Sequence, residues 1–345
     1  MISSNIIFAQ EKTEEKEKKE KSNKNLPIKP GRFYDLNTDT GSWMSLDVSP
    51  DGQTIVFDLL GDIYSIPISG GKAKRITKGM AFDSHPKYSP NGESIVYVSD
   101  KSGGNNVWIR DLNSNDSIQI TKEKDNQTAF ADWSKDGDYL IVSKGRRNLK
   151  LYMYHKDGGN GVKLIDKPSS LKIVQPEVGI NDRYIWYANR TNSWQYNAGL
   201  PQYQISKYDR ETGDIKRETS RFGSAFTPTL SPDGKSLVYG TRYEDKTALR
   251  IRNLETGYEK WLAFPVQKDD QESQATMGVL PNMAFTPDSK NLILSYGGKI
   301  NKIDINEGKS YEIPFQINET IEVGPELKFD YEISDEKSMI VNQIR

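Results

Sequence analysis

The residue types that hydrolytic chemistry requires are scarce in this chain of 345 residues. It has only two histidines, His85 and His155, which lie far apart in the sequence. A binuclear metal hydrolase needs more nitrogen ligands than two histidines supply. We therefore expect each histidine to have a strand or turn role. The absence of cysteine excludes disulfides, thiolate metal sites and cysteine nucleophiles.

Other catalytic motifs are also missing. The sequence contains no Gly-x-Ser-x-Gly elbow, no Gly-rich phosphate loop ending in Lys-Ser or Lys-Thr, and no Asp-x-Asp-x-Asp-Gly calcium loop. Most aspartates fall in turn motifs, where they bond to their own backbone, so a glycosidase carboxylate pair is disfavoured. We expect no catalytic residue, metal ligand or cofactor in this chain. Whether the parent protein is an enzyme stays open.

A binding site is predicted in an insertion over residues 189–201. It contains Arg190, Trp194 and Tyr196, a cation and two aromatic residues of the kind enriched at recognition hot spots. The alternative is that the two rings only pack the loop onto the fold.

One turn motif recurs along the chain and indicates the fold that must position this loop. Most copies read Ser-Pro-Asp-Gly or a close variant, and they begin at Ser49, Ser89, Ser134, Ser231 and Thr286. A degenerate copy lies at residues 180–183. Proline sets the turn, Asp or Asn continues it, and glycine accepts the left-handed conformation that follows. The copies are spaced as one propeller blade requires.

The segments around each turn alternate apolar and polar residues, as half-buried strands do. Four such strands make up each repeat, and about six repeats follow one another. The sequence therefore predicts an all-β fold, a β-propeller of about six four-stranded blades spanning residues 31–314. Residues 315–345 are predicted to be a linker and the first strand of a truncated further repeat, which leaves the ring incomplete at its C-terminus.

The N-terminal region is predicted to lie outside the propeller. Residues 1–10 end in an apolar stretch before Ala9 and are interpreted as the remnant of a secretory signal peptide. Residues 11–30 are almost wholly charged and are predicted to form a disordered linker. A periplasmic or secreted location follows from this interpretation.

The balance of charged residues limits the kinds of partner that the chain can bind. Lys and Arg number 47 and Asp and Glu number 48, so the chain has no net positive electrostatic field to attract a polyanion. We therefore expect no nucleic-acid partner. No apolar run approaches 18 residues, so no transmembrane segment is expected.

The repeats resemble the TolB-like (PD40) propeller repeat, with Gly-Asp-Ile-Tyr and Arg-Ile-Thr at fixed offsets from the turn. Residues 41–52 (GSWMSLDVSPDG), 55–64 (IVFDLLGDIY), 281–289 (PNMAFTPDS) and 297–300 (GGKI) are similar to exported amidohydrolases that carry an N-terminal propeller of this type. In that family the metal ions are held largely by histidines of a downstream barrel. None of those positions exists in these 345 residues.

The resemblance implies a non-catalytic propeller that gates or presents substrate, or scaffolds the barrel, with the downstream catalytic domain as its partner. Two alternatives stay open. One is a stand-alone periplasmic propeller that binds an envelope protein. The other is the propeller of a prolyl-oligopeptidase-like serine peptidase.

Overall fold

The computed structural model describes residues 29–124, 127–191, 199–271 and 278–326, together with Lys328 and Ser338. Most of residues 1–30, and all but one of residues 329–345, therefore lie outside the described part. The described residues contain strands and turns but no helix. No described segment forms a helix long and apolar enough to cross a bilayer.

Six four-stranded antiparallel sheets follow one another along the chain, after an initial strand β1 (Arg32–Thr38). The first sheet contains β2 (Leu46–Val48), β3 (Thr54–Leu59), β4 (Asp62–Pro67) and, after the short β5 (Gly71–Lys72), β6 (Lys74–Arg75). The second contains β7 (Asp83–Tyr88), β8 (Ser94–Ser99), β9 (Asn106–Asp111) and β10 (Ser117–Gln119), and the third β11 (Gln127–Trp133), β12 (Tyr139–Gly145), β13 (Lys150–His155) and β14 (Gly158–Ile165). The fourth contains β15 (Lys172–Val178), β16 (Tyr184–Arg190), β17 (Gln204–Asp209) and β18 (Ile215–Arg217). The fifth contains β19 (Phe226–Leu230), β20 (Ser236–Tyr243), β21 (Lys246–Asn253) and β22 (Glu259–Lys268). The sixth contains β23 (Ala284–Phe285), β24 (Asn291–Tyr296), β25 (Lys299–Asp304) and β26 (Ser310–Ile313).

The repeated turn joins the first and second strands of each sheet, as predicted. In the first copy the hydroxyl of Ser49 donates to Asp51 Oδ1 at 2.6 Å, and the same oxygen accepts the N–H of Gln53 at 2.9 Å. Gly52 has a φ of 72°, the left-handed conformation that favours glycine. The motif is therefore a self-contained hydrogen-bonded corner that each repeat forms locally.

The degenerate fourth copy begins one residue earlier than predicted. The N–H of Asp182 donates to the carbonyl of Gly179 at 3.1 Å, so the turn spans residues 179–182 and not 180–183. Asp182 occupies the glycine position with a φ of 58°. Aspartate tolerates this conformation better than most residues, which explains how the turn survives without its glycine.

The hydrophobic core lies between neighbouring sheets. Val56 and Ile63 of the first sheet pack with Ile95 and Tyr97 of the second, and all four are buried. A single twisted sheet cannot bury both of its faces, so each blade depends on its neighbours.

The prediction of an unfinished ring is wrong, because the sixth sheet contacts the first. The hydroxyl of Ser295 donates to the carbonyl of Met44 at 2.7 Å. The N–H of Leu46 donates to the carbonyl of Asn282 at 3.2 Å. The six blades of the described residues therefore close around one axis.

The segment after the sixth sheet also differs from the prediction. Residues 315–323 form strand β27 (Phe315–Val323) where a linker was expected; it pairs with β1 in antiparallel and β5 in parallel orientation. Phe315, Ile317 and Ile321 alternate along it and are buried against the first sheet. This period of two is a strand signal, and the strand ties both flanks of the propeller to its first blade. The strand predicted over residues 338–344 lies almost wholly outside the described residues.

Candidate functional site

The innermost strand of every sheet carries one residue at an equivalent position, two places before the hydroxyl residue or glycine that opens the turn. These six residues are Asp47, Lys87, Asp132, Glu177, Thr229 and Ala284. Because side chains alternate along a strand, the shared position aims them toward the same layer of the ring. Four of the six carry charge, although each lies in or beside an otherwise buried strand.

Lys87 is the centre of this layer. Its ammonium donates to Glu177 Oε2 at 2.6 Å and to Asp132 Oδ1 at 3.0 Å. Burial disfavours the charged form of Lys87, but the two carboxylates outweigh it and raise the pKa of this lysine. The ammonium of Lys87 thus fills the position between the two carboxylates that a bound metal cation would otherwise occupy.

Three acids of this layer each connect their own blade to the next one. Asp47 accepts the N–H of Tyr88 at 2.8 Å, and Asp132 accepts the N–H of Val178 at 2.7 Å. Glu177 Oε1 accepts the N–H of Leu230 at 3.3 Å. These bonds satisfy N–H groups on inner edge strands that have no strand partner there.

Burial shifts the protonation of this layer. It raises the pKa of Asp47 to about 7, although the nearby Lys87 charge opposes the shift. Burial also raises the pKa of Glu177, again against the effect of Lys87. Asp47 therefore titrates near neutral pH, within the electrostatic influence of Lys87 and Asp132.

A cavity of about 320 Å³ opens above this layer on the side of the turns. Pro50, Pro90, Pro232 and Pro287 of four turns line its mouth, and Asp47, Lys87, Asp132 and Glu177 lie inside. A second cavity beside Lys87 and Glu177 reaches Gln175 and Thr227 and measures only about 10 Å³. The axial recess thus presents charged and polar groups at its Lys87 layer and proline rings from the turns, a lining suited to contact with a partner at the turn face.

No group of three or more His, Cys, Asp or Glu side chains with metal-binding geometry occurs within the described ranges. His85 is buried in β7 against the ring of Phe130, with ring centroids 4.7 Å apart. His155 ends β13 and lies 3.3 Å from the carboxylate of Asp157. The structure does not bring the two histidines to one site.

The insertion over residues 189–201, which was predicted as a binding site, is only partly described. Arg190 ends β16, with its guanidinium 5.1 Å from the ring centroid of Tyr203 and 3.5 Å from Gln202 Oε1. Trp194 and Tyr196 lie outside the described residues. Arg190 does not line the axial recess, so this residue and the recess are separate candidates.

Sequence reasoning missed the axial residues themselves. It placed most aspartates in turns, whereas Asp47 and Asp132 lie within strands. A usable signal was present, because charged residues recur at one register of otherwise apolar inner strands.

Residues 28–198 match the family model described as the TolB beta propeller domain, PD40. An uncharacterized protein of Agrobacterium fabrum is 30% identical over 135 residues, which is 34% of this chain and 44% of that protein. Tricorn protease homolog 1 of Streptomyces coelicolor is 26% identical over 29% of this chain and 10% of its own length. Dipeptidyl-peptidase 5 of Porphyromonas gingivalis is 27% identical over 28% of this chain and 17% of its own length. The chain thus spans less than half the length of these curated relatives.

Solved structures share the fold at low sequence identity. TolB from Acinetobacter baumannii superposes with a TM-score of 0.58 at 16% identity, covering 81% of this chain and 65% of that one. A putative TolB from Agrobacterium tumefaciens gives 0.57 at 17% identity, covering 71% and 86%. The tricorn protease gives 0.59 at 15% identity, covering 80% of this chain and 26% of that protein. These likenesses establish the fold alone.

Proposed function

Because this chain carries a TolB-type (PD40) β-propeller, we propose that it is the non-catalytic module of a larger exported hydrolase of the amidohydrolase type. The module would scaffold the catalytic domain and present substrate to it. The metal ions of such an enzyme would belong to the catalytic domain, which is the partner of this propeller.

The observation that carries this proposal is the bonding of the axial acids. Asp132 and Glu177 direct their oxygens to Lys87 and to the N–H groups of the next blade. A general acid or base must be free to exchange a proton with a substrate. Carboxylates committed to the assembly of the ring support a structural and binding role.

The shape of the axis favours presentation over threading. The recess of about 320 Å³ ends at the Lys87 layer, where the adjoining cavity is about 10 Å³. The ion pairs of Lys87 with Asp132 and Glu177 lie across this path and oppose the passage of a peptide or other polymer. We infer that substrate or partner contacts the turn face of the ring.

A peptidase is the second candidate, and a specific observation favours it. Two curated relatives are named Tricorn protease homolog 1 and Dipeptidyl-peptidase 5. In such a parent the propeller would accompany a serine peptidase domain. The axial recess and its hydrogen bonds fit a peptidase parent equally well. Only the chemistry of the catalytic domain distinguishes a peptidase from an amidohydrolase.

The test uses the native protein from its source cells, captured with antibodies raised against the propeller. We expect a mass well above the 39.1 kDa of this chain, bound divalent metal, and no labelling by a fluorophosphonate probe. Fluorophosphonate labelling would assign the peptidase instead. A captured protein no heavier than this chain would exclude both parents and favour a stand-alone envelope binder.

Export is tested separately, by cell fractionation and by sequencing the N-terminus of the captured protein. We expect a periplasmic or secreted protein that starts close after Ala9. Recovery from the cytoplasm with Met1 retained would contradict the proposed location.

A further inference from the structure

A second recess lies between the first and second sheets, away from the axis. It has a volume of about 700 Å³ and is lined by residues that include Arg75, Lys78, Asp83, Lys101 and Arg110. Arg75 comes from the last strand of the first sheet, while Arg110 comes from β9 of the second. We call this recess the inter-blade cleft.

Lys101 is held in this cleft by aromatic residues. Its ammonium lies 3.7 Å from the centroid of the Trp108 ring and donates to the Tyr97 hydroxyl at 2.7 Å. No carboxylate of the described residues lies within 4.0 Å of it. Burial lowers the pKa of Lys101, and the Arg110 charge adds to this effect while Asp83 opposes it.

Arg110 lies on the same face of the second sheet, because it stands two residues after Trp108 on β9. Its guanidinium donates to Asn115 Oδ1 at 3.1 Å. Its Nε is buried without a hydrogen-bond partner among the described residues. A second cation in the cleft thus also lacks a carboxylate within the described part of the chain.

The other charges of the cleft form no ion pair with Lys101 or Arg110 among the described residues. Asp100 also lines the cleft, and its Oδ1 accepts the N–H of Phe82 at 2.8 Å. Arg75 is bound to Asp62 at 2.7 Å and to Glu322 at 2.6 Å, so its charge is already compensated. Asp83 is buried, and burial raises its pKa, while the hydroxyls of Ser99 and Thr77 oppose the shift. Two cations that face one cleft without an ion-pair partner repel each other, and a bound anion relieves that repulsion.

The cleft has apolar walls beside its cations. Ile76, Met80 and Ala81 line it together with the charged residues. Inorganic anions gain nothing from such walls, whereas an organic anion buries part of its body there.

We propose that the inter-blade cleft binds an organic anion, with its head group between Lys101 and Arg110 and its apolar body against Met80 and Ala81. Charge-assisted hydrogen bonds from two cations supply the affinity for the head group. The site is separate from the axial recess and stands whichever catalytic domain accompanies the propeller.

The test is calorimetric titration of the 345-residue chain with four probes. They are N-acetyl-leucine, its neutral amide, phenyl phosphate and inorganic phosphate. We expect N-acetyl-leucine or phenyl phosphate to bind at least about tenfold more tightly than the amide, and more weakly as salt is added. Whichever of the two binds better identifies the head group as carboxylate or phosphate.

Two variants localise the binding. Lys101→Met keeps an unbranched side chain of similar length but removes the charge, and Arg110→Gln removes the second cation. Each should weaken binding of the preferred probe about tenfold or more, while Lys101→Arg should retain it. The matched controls Lys246→Met and Arg146→Gln, at exposed positions elsewhere, should leave it unchanged.

Four results would overturn the proposal. They are an amide that binds as well as the acid, inorganic phosphate that binds as well as the organic anions, binding that survives Lys101→Met and Arg110→Gln, and absence of binding at millimolar concentrations of every probe. Unfolding midpoints of each variant, measured alongside, separate loss of binding from loss of folding.

Discussion

Lys87 Nζ lies 2.6 Å from Glu177 Oε2, although the two residues are 90 positions apart and belong to the second and fourth sheets. The same ammonium contacts Asp132 of the third sheet. One side chain thus joins three blades across the axis. The ring depends on this contact because the carboxylates around Lys87 are largely removed from water.

Replacing Lys87 with methionine should destabilise the ring strongly. The substitution leaves Asp132 and Glu177 buried without their cation, which costs about 3–5 kcal/mol in the free energy of unfolding. Urea denaturation followed by tryptophan fluorescence measures the change. Lys156→Met, which breaks an exposed ion pair with Asp138, is the control and should leave the midpoint unchanged. Equal midpoints for the two variants would contradict a central role for Lys87.

Stability should depend on pH through Asp47. Burial raises the pKa of this group in the folded chain to about 7, whereas the unfolded value is about 3.9. The folded state therefore holds the proton more tightly. Its contribution is fully present below about pH 3.9 and is lost as pH rises toward 7, by about 1.4 kcal/mol per pH unit.

Asp47→Asn isolates this effect. Asn keeps an oxygen that accepts the N–H of Tyr88 but does not ionise, so the variant should gain stability over the parent between pH 4 and 7. Turn aspartates such as Asp51, whose pKa is lowered by the Ser49 hydroxyl, lose their contribution to stability at lower pH. Both proteins contain these turn aspartates, so their effect cancels when the two stability curves are compared. Parallel curves for the two proteins would show that Asp47 is not the titrating group.

We expect strand β27 to contribute as much to the stability of the propeller as the core of a blade does. Ile317 in β27 is fully buried against the first sheet. Ile317→Ala should therefore lower the free energy of unfolding by about 2–5 kcal/mol. Ile215→Ala, at a position 48% exposed in β18, should change it by less than about 0.5 kcal/mol. Similar effects for both would mean that β27 is not part of the folded ring.

The turn glycines should resist substitution. Gly234 has a φ of 70°, and an added Cβ would lie 3.1 Å from Ile180 Cγ2. Gly234→Ala should cost about 1–2 kcal/mol from the left-handed backbone alone. Gly199→Ala, where no atom of the described residues lies within 4 Å of an added Cβ, is the matched control and should be neutral. Thermal unfolding midpoints compare the two, and a neutral Gly234→Ala would refute the conformational argument.

The sequence by itself determined the all-β class, the six-fold repeat and the turn at the centre of each repeat. These features are local, since Ser49, Asp51 and Gly52 form their turn from contacts within a few residues. The alternation of apolar and polar residues likewise predicts strands from the sequence alone. The same alternation is present in β27, but it was not recognised as a strand because Phe315 and its neighbours follow the last repeat.

Only the tertiary structure decided that the ring closes at six blades and that Lys87 meets Asp132 and Glu177 at its axis. These contacts join residues from different repeats, and their geometry depends on the angle at which every blade packs on the next. The inter-blade cleft arises in the same way, because Lys101 and Arg110 of the second blade share it with Met80 and Ala81 from the segment that connects the first blade to the second. Side chains from separate parts of the fold become a site only when packing brings them together, and no spacing along the chain records that distance.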